Sequence, residues 1–467
     1  SVRLNSLLLI PFITQILPGS TWIHISSPHF EIHTDAGEVA ARRVLTRFEQ
    51  ARRVLDAVGP GPKSAFPTRI LLYASARDYA SIRPASNVPG FYQSGPERDY
   101  IAMLAGAEID RIVLHEYTHA VLNHALHRLP QWLEEGLAEY YSTLSAAGGK
   151  ATLGAPVAAH VETLRTSDWL PAATLAAVAK DSPHYNEAGK NTVFYAQSWA
   201  LTHMLERGAA CRGKLPDFIE RLSKGEPQAA AFQASFGRSW EEALAGLPAY
   251  VRAGFSSITV EAPPAAALLF SPVEALDPVE AAQSRAEILL LEGRDRDAQR
   301  IYEDIARRNP RSPSAQTGLA VVAMRDHDVE SARAYFEKAI ALGASDASTY
   351  FEYAMLLRDG GADPDLVTRF LEKAVAANPA HAEAQFLLGV RATDRERYSD
   401  ALSHLRRAVE ILPRQAYFWQ ALSYANLKLN LREQARDAAA RALACAGTAH
   451  EREMAEAALK LAQDPPS

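Results

Sequence analysis

Leu114-His115-Glu116-Tyr117-Thr118-His119-Ala120 is a His-Glu-x-x-His motif set in an apolar run, and Trp132-Leu133-Glu134-Glu135-Gly136-Leu137-Ala138-Glu139-Tyr140 follows at short range. A helix is expected over 109–124, because Ile109, Ile112, Val113, Tyr117, Ala120, Val121 and Ala125 are spaced for one apolar face. Asp110 suits the positive end of its dipole. On a helix, residues i and i+4 lie one turn apart on the same face. His115 and His119 can therefore aim ring nitrogens at one ion. Pro130 is placed to start a second helix, which would carry Glu135 and, one turn later, Glu139.

The chemistry follows from the donor types. Zinc takes neutral imidazole nitrogen and carboxylate oxygen, and a catalytic site keeps three protein ligands and an open fourth position. Glu116 faces the same cleft without joining the same coordination sphere comfortably. That is the place for a general base acting on water. The bland alternative is a buried helix whose two histidines satisfy each other or the backbone.

At these residues the chain resembles the gluzincin metallopeptidases, whose third zinc ligand is glutamate. Trp132-Leu133-Glu134-Glu135-Gly136 is similar to an element of aminopeptidase N-like enzymes. His115 to His119 with Pro130 to Tyr140 resembles bacterial peptidase MA-like domains more closely, over roughly residues 28–255. The resemblance implies one Zn2+ per chain held by His115, His119 and Glu135, with Glu116 as the catalytic base. Fifteen residues separate His119 from Glu135, a shorter loop than in the larger gluzincins. Spacing alone would select Glu139. The Trp-Leu-x-Glu-Gly context favours Glu135, leaving Glu139 to orient a zinc-bound histidine; the alternative swaps the two roles. Gluzincins also place a donor at the oxyanion. Tyr195, on an expected helix at 192–201, is the candidate, with Tyr185 behind it. The alternative for Tyr195 is an ordinary half-buried aromatic. A Gly-x-Met-x-Asn motif for a free amine is absent from the sequence, which tilts the expectation toward an endopeptidase.

Other histidines receive blander readings. His24, His29 and His33 lie near expected strand residues, but Pro28 interrupts them and no acidic ligand is spaced with them. His124 and His127 follow the motif helix and are expected at the surface or in support of a ligand. The Arg42-Arg43 and Arg52-Arg53 pairs read as solvated helix faces.

The 467 residues allow two or three domains, and 48% hydrophobic with 22% charged residues is a folded globular composition. A net charge of −6 gives no basic face for nucleic acid. Cys211 and Cys445 have no partner at ligand spacing. Arg3, the apolar run Leu7 to Leu17, and Pro18-Gly19-Ser20 resemble a secretory signal over 1–20. That implies a secreted or periplasmic bacterial protein, with membrane contact only through this segment if it is uncleaved. A buried N-terminal helix is the alternative.

Alternation predicts strands near 29–34, 68–73, 90–92 and 100–104, and an amphipathic helix over 38–58. The expected catalytic domain is 21–258: a small sheet followed by helices, an α+β zincin-like fold. Residues 99–104 are the candidate edge strand for an extended substrate. The prolines of 259–278 suggest a linker. Beyond it Ala298, Ala332, Val367, Ala401 and Ala435 recur at steps of 34, 35, 34 and 34. With closing prolines at 310, 379 and 413, this period resembles tetratricopeptide repeats: five over about 280–447, then a capping helix at 449–463, giving an all-α solenoid at 279–463. Its concave surface would dock a peptide, a protein substrate or a protein partner; a purely structural role is the alternative. The functional expectation is a zinc-dependent peptidase. The alternatives are a protein-binding scaffold with little turnover, and hydrolysis of a non-peptide amide or ester.

Overall fold

Alternating and continuous apolar runs build a six-stranded sheet. In the computed structural model, which describes residues 22–58, 68–84, 88–106, 109–125, 129–179, 181–186, 190–261 and 268–463, the first elements are β1 (Ile23–Ser26), β2 (Phe30–Thr34), α1 (Gly37–Val58), β3 (Thr68–Tyr73), α2 (Ala76–Ala80), β4 (Gly90–Ser94) and β5 (Asp99–Leu104). The expected signal segment 1–20 and His127 lie outside the described residues. The motif helices follow as α3 (Ile109–Ala125) and α4 (Gln131–Tyr141). Then come a hairpin of β6 (Ser145–Ala147) and β7 (Lys150–Leu153), and helices α5 (Ala158–Thr166), α6 (Ala172–Ala177), α7 (Pro183–Asn186), α8 (Lys190–Arg207), α9 (Leu215–Ser223), α10 (Gln228–Phe236) and α11 (Trp240–Ala253).

Two expectations need correction. Residues 99–104 are not an edge: the order is β4-β5-β3-β2-β1-β9, because β4 pairs back antiparallel onto β5 with Gly90 opposite Met103. The edge strand is β4. Nor is 259–278 only a linker. Within it β8 (Ile258–Glu261) pairs with β7 and β9 (Glu274–Ala275) pairs with β1. Proline bars a central strand, but edge strands between prolines remain open to pairing.

The run Ile70-Leu71-Leu72-Tyr73 explains how the sheet is covered. All four side chains are buried, the pattern of a strand packed on both faces. Ile70 and Leu72, with Ile32, Ile101 and Met103, join the core made with α1 and α3. Leu71 and Tyr73, with Tyr100 and Ala102, face the other way and join Leu289, Tyr302 and Leu319. Those belong to the second half of the chain, so its first helices form the far layer of this sheet.

That half is five helix pairs and a cap: α12 (Pro278–Leu291) with α13 (Asp295–Arg308), α14 (Pro313–Arg325) with α15 (Val329–Ala341), α16 (Ala347–Asp359) with α17 (Pro364–Ala377), α18 (Ala382–Asp394) with α19 (Tyr398–Ile411), α20 (Ala416–Lys428) with α21 (Arg432–Cys445), and α22 (Ala449–Gln463). The recurring Ala298, Ala332, Ala401 and Ala435 are fully buried where paired helices cross. A Cβ on Gly318 would sit 2.3 Å from Tyr302, and one on Gly389 2.6 Å from Leu405, so close approach is required from both partners. The 35-residue step has its cause in the α16–α17 turn, residues 360–363, which is one residue longer than the other turns within pairs. Among the described residues no helix is long and apolar enough to cross a membrane.

Candidate metal centre

Helix α4 is buried from Trp132 to Tyr141 and packs between α3 and α8. The glycine of the Trp-Leu-Glu-Glu-Gly segment permits this: a Cβ on Gly136 would lie 2.1 Å from Thr202 Oγ1 and 2.6 Å from the Ser198 carbonyl oxygen of α8. On its other side α4 turns Glu135 and Glu139 toward α3.

His115, His119 and Glu135 converge. The two Nε2 atoms are 3.1 Å apart. Glu135 Oε2 is 3.6 Å from His115 Nε2 and 3.4 Å from His119 Nε2. The other carboxylate oxygen is tied back: Gln131 Nε2 and the Tyr185 hydroxyl each donate to Glu135 Oε1 at 3.0 Å. Oε2 is left buried with no hydrogen-bond partner among the described residues, aimed at the two rings. Burial pushes the Glu135 carboxyl up, but His119 and His115 outweigh it and hold it far below the usual carboxylate range.

Glu139 meets the opposite edge of His115. Its Oε1 is 3.4 Å from His115 Nδ1, while Oε2 accepts from Arg111 Nη1 at 2.5 Å and lies 3.0 Å from His160 Nε2. Burial pushes Glu139 up, yet His115, His160 and Arg111 hold it down at about 2. The same carboxylates act on His115: burial pulls the imidazole down, but Glu139, Glu135 and Glu116 hold it up at about 9. Glu116 lines the cleft beside both rings. Burial raises its pKa above the ordinary value, although the imidazoles pull the other way.

The two tyrosines stand in series. The Tyr185 hydroxyl donates to Glu135, and Tyr195, on α8, packs against Tyr185 with ring centroids 6.1 Å apart. Burial first, and Glu135 second, raise both phenols well above their ordinary range, so both stay protonated donors. Tyr185 reaches the candidate ligand directly, and Tyr195 sits behind it.

These residues line a cleft of ≈ 360 Å³ whose wall also includes Gly90, Phe91 and Tyr92 of the edge strand β4. Sequence reasoning missed Gln131, Arg111, His160 and Arg414, which also lines the cleft. Gln131 stands one turn before Glu135, a spacing that the sequence displays. Arg111 likewise stands one turn before His115 on α3, whereas His160 and Arg414 come from distant segments with no motif.

Two histidine readings change. Glu31 joins His24 and His33, their ligand atoms lying within 4.8 Å of one another. The β1–β2 register, with His24 opposite His33, creates a cluster that linear spacing hides. Its carboxylate is occupied by Arg69 and Arg98, and His33 Nδ1 lies 3.2 Å from Ser284 Oγ of α12. This is one polar part of the contact between the two halves. His124 is buried rather than at the surface, 2.6 Å from Asp99 Oδ2 and 3.3 Å from the Ile411 carbonyl oxygen of α19.

Tetratricopeptide repeats match residues 284–347 and 368–416, so the helix pairs form a tetratricopeptide-repeat solenoid. A family described as a protein of unknown function, DUF1570, matches residues 111–229, from the middle of the first α3 turn through α9. No curated protein matches the chain. Among solved structures, YrrB, a TPR protein with an unusual peptide-binding site, is 20% identical, covers 38% of this chain and 91% of its own, and has a TM-score of 0.31. PilF of Pseudomonas aeruginosa is 16% identical, with 38% and 88% covered and a TM-score of 0.33. MamA from Desulfovibrio magneticus RS-1 is 21% identical, with 36% and 95% covered and a TM-score of 0.29.

Proposed function

We propose that this chain is a zinc-dependent peptidase of the gluzincin type, with one Zn2+ held by His115, His119 and Glu135, and that its repeats dock a protein or peptide. The observation that carries this reading is the aim of Glu135: Gln131 and Tyr185 occupy Oε1, and Oε2 is left buried without a hydrogen bond, 3.4 and 3.6 Å from two imidazole nitrogens. A buried polar atom without a partner is costly, and a cation between the three donors removes that cost. The spacing supports the same group. Bonds of about 2.0–2.1 Å in a tetrahedron give ligand–ligand edges of roughly 3.3 Å, beside the observed 3.1, 3.4 and 3.6 Å.

The bound ion supplies Lewis acidity and makes water acidic at about pH 7. Glu116, which lines the cleft beside both rings, takes a proton from the attacking water and returns it to the leaving nitrogen. Glu139 Oε1, 3.4 Å from His115 Nδ1, favours a proton on Nδ1 and so the tautomer that leaves Nε2 as a ligand. Tyr195, which lines the cleft, donates to the carbonyl oxyanion. The edge strand β4 takes the substrate backbone by strand addition. Tetratricopeptide solenoids bind peptides and proteins on their repeated surface, which suits delivery of a polypeptide.

The test compares the zinc-loaded full chain with its Glu116→Gln variant on a diverse peptide library, read by mass spectrometry. Cleavage by the parent should vanish on chelation and fall by about 10²–10⁴ in the variant, with zinc content unchanged. A fully zinc-loaded parent that cleaves nothing would overturn the peptidase reading in favour of a binding scaffold.

A further inference from the structure

A second set of imidazole and carboxylate donors lies on the side of the sheet that meets the repeats. Residues directly paired on neighbouring strands share a face, and so do residues two apart on one strand. His24 of β1 is paired with His33 of β2 and with Glu274 of β9, and Glu31 stands two residues before His33. The four line a cavity of ≈ 360 Å³ that Glu280 and Gln283 of α12 close from the other side. The His24 and His33 rings have centroids 5.4 Å apart and cross at 83°. One donor atom from each of His24, Glu31 and His33 lies within 4.8 Å of the other two. The bonds already made leave donors open. Glu31 Oε1 takes both Arg69 Nε, at 2.9 Å, and Arg98 Nη1, whereas Oε2 faces His24 Nε2 at 3.9 Å. His33 Nδ1 lies 3.2 Å from Ser284 Oγ, the outer contact by which a histidine presents its second ring nitrogen to a metal. The two arginines oppose a cation there, and the carboxylates of Glu31, Glu274 and Glu280 offset them.

We propose that His24, His33 and Glu31 form a second metal site, for a divalent transition cation such as Zn2+, at the seam between the sheet and the repeats. Two imidazoles with one carboxylate suit such an ion, whereas magnesium and calcium take oxygen ligands. Glu274, opposite His24 on the next strand, or water completes the shell. The donors stand wider than the roughly 3.3 Å edge of a tetrahedral zinc site, so they close in on binding. His24 and Glu31 have the freedom to do so, with side chains 25% and 26% exposed. That closing sets the order of filling: His115, His119 and Glu135, already 3.1–3.6 Å apart, fill first. An ion here ties β1 to β2 and, through His33 and Ser284, braces the sheet against α12. Its role is to fasten the two halves of the chain, and it stands independently of the peptidase reading.

The experiment titrates the full chain with Zn2+ against a chromophoric chelator. The parent should take up about two ions per chain, and His24→Gln and the double variant His115→Gln/His119→Gln about one each. In that double variant, Zn2+ at about a hundredfold its dissociation constant should raise the melting temperature by about 5–10 °C. Adding His24→Gln should abolish the rise. Should His24→Gln not fold, modification of the double variant with diethyl pyrocarbonate replaces it, read at His24 by peptide mass spectrometry. Zn2+ should protect His24 at the concentration that raises the melting temperature; equal labelling with and without Zn2+ would overturn the proposal. So would a parent and a His24→Gln variant that hold the same zinc, or a melting shift that survives His24→Gln, which would mark adventitious binding elsewhere. The two centres fail separately. Zinc lost with His24 and not with His115 and His119 leaves this site standing and sinks the central one; the opposite pattern does the reverse.

Discussion

Gly136→Ala adds one methyl group at the most crowded point beside the candidate site. The new Cβ would lie 2.1 Å from Thr202 Oγ1, 3.0 Å from Thr202 Cβ and 2.6 Å from the Ser198 carbonyl oxygen. Rotating the threonine relieves the first contact and not the third, which is backbone. Helices α4 and α8 must therefore part by several tenths of an ångström. Overpacking of this kind costs about 1–3 kcal/mol. Alanine returns about 0.5–1 kcal/mol through its higher helix propensity. The net loss is about 1 kcal/mol and at most about 2.5 kcal/mol, and at about 2–4 °C per kcal/mol for a domain of this size the melting temperature falls by about 2–10 °C. Because α8 carries Tyr195, its hydroxyl should also shift from Tyr185. The assay is thermal melting followed by tryptophan fluorescence, with Gly106→Ala as control, since a Cβ there meets nothing within 4 Å. Thr202→Ala added to Gly136→Ala should restore only part of the loss. A variant that melts at or above the parent, or one that Thr202→Ala rescues completely, would refute the reasoning.

The two acids of α4 should separate by metal content: Glu135→Gln should lose zinc, while Glu139→Gln should keep it with affinity reduced by about 10–100-fold, measured by competition with a chromophoric chelator. The reverse order would exchange their roles. His381 gives a pH test within the solenoid. Its Nδ1 accepts the Ala384 N–H at the start of α18, and burial pulls its pKa down to about 4. Between about pH 4 and 6.5 the unfolded chain therefore holds the proton and the folded chain does not. Stability is complete above that window and is lost as pH falls through it, by up to about 3 kcal/mol. Asparagine is a good cap without this titration, so His381→Asn should flatten the urea midpoint between pH 7 and 4.5; an unchanged slope would count against it.

The parts of this molecule readable from sequence are those governed by local periodicity. The i, i+4 histidines, the carboxylate one helix later, the strand alternation and the 34-residue return of small residues are all short-range signals, and the structure carries each of those elements. What was not readable depends on long-range pairing. Residues 90–94 alternate much like 100–104, and only the antiparallel return of β4 decides which becomes the edge. Glu31 meets His24 and His33 through strand register, not through spacing. Arg414 stands 280 residues from Glu134, in a turn whose sequence is that of any repeat boundary. The exception is Leu71 and Tyr73. Unbroken apolarity in β3 signals cover on both faces, although not which segment provides it.

That cover arrives late. Leu71, Tyr73, Tyr100 and Ala102 are all synthesised by residue 104, whereas Leu289, Tyr302 and Ile305, which bury them, follow roughly 200 residues later. At about 5–20 residues per second a nascent chain carries this bare apolar sheet face for roughly 10–40 s before its lid leaves the ribosome. For that interval the first half needs a holding chaperone or an unformed sheet. A gene truncated before the repeats would leave the interval without an end, and would yield an aggregating fragment rather than a smaller folded protein.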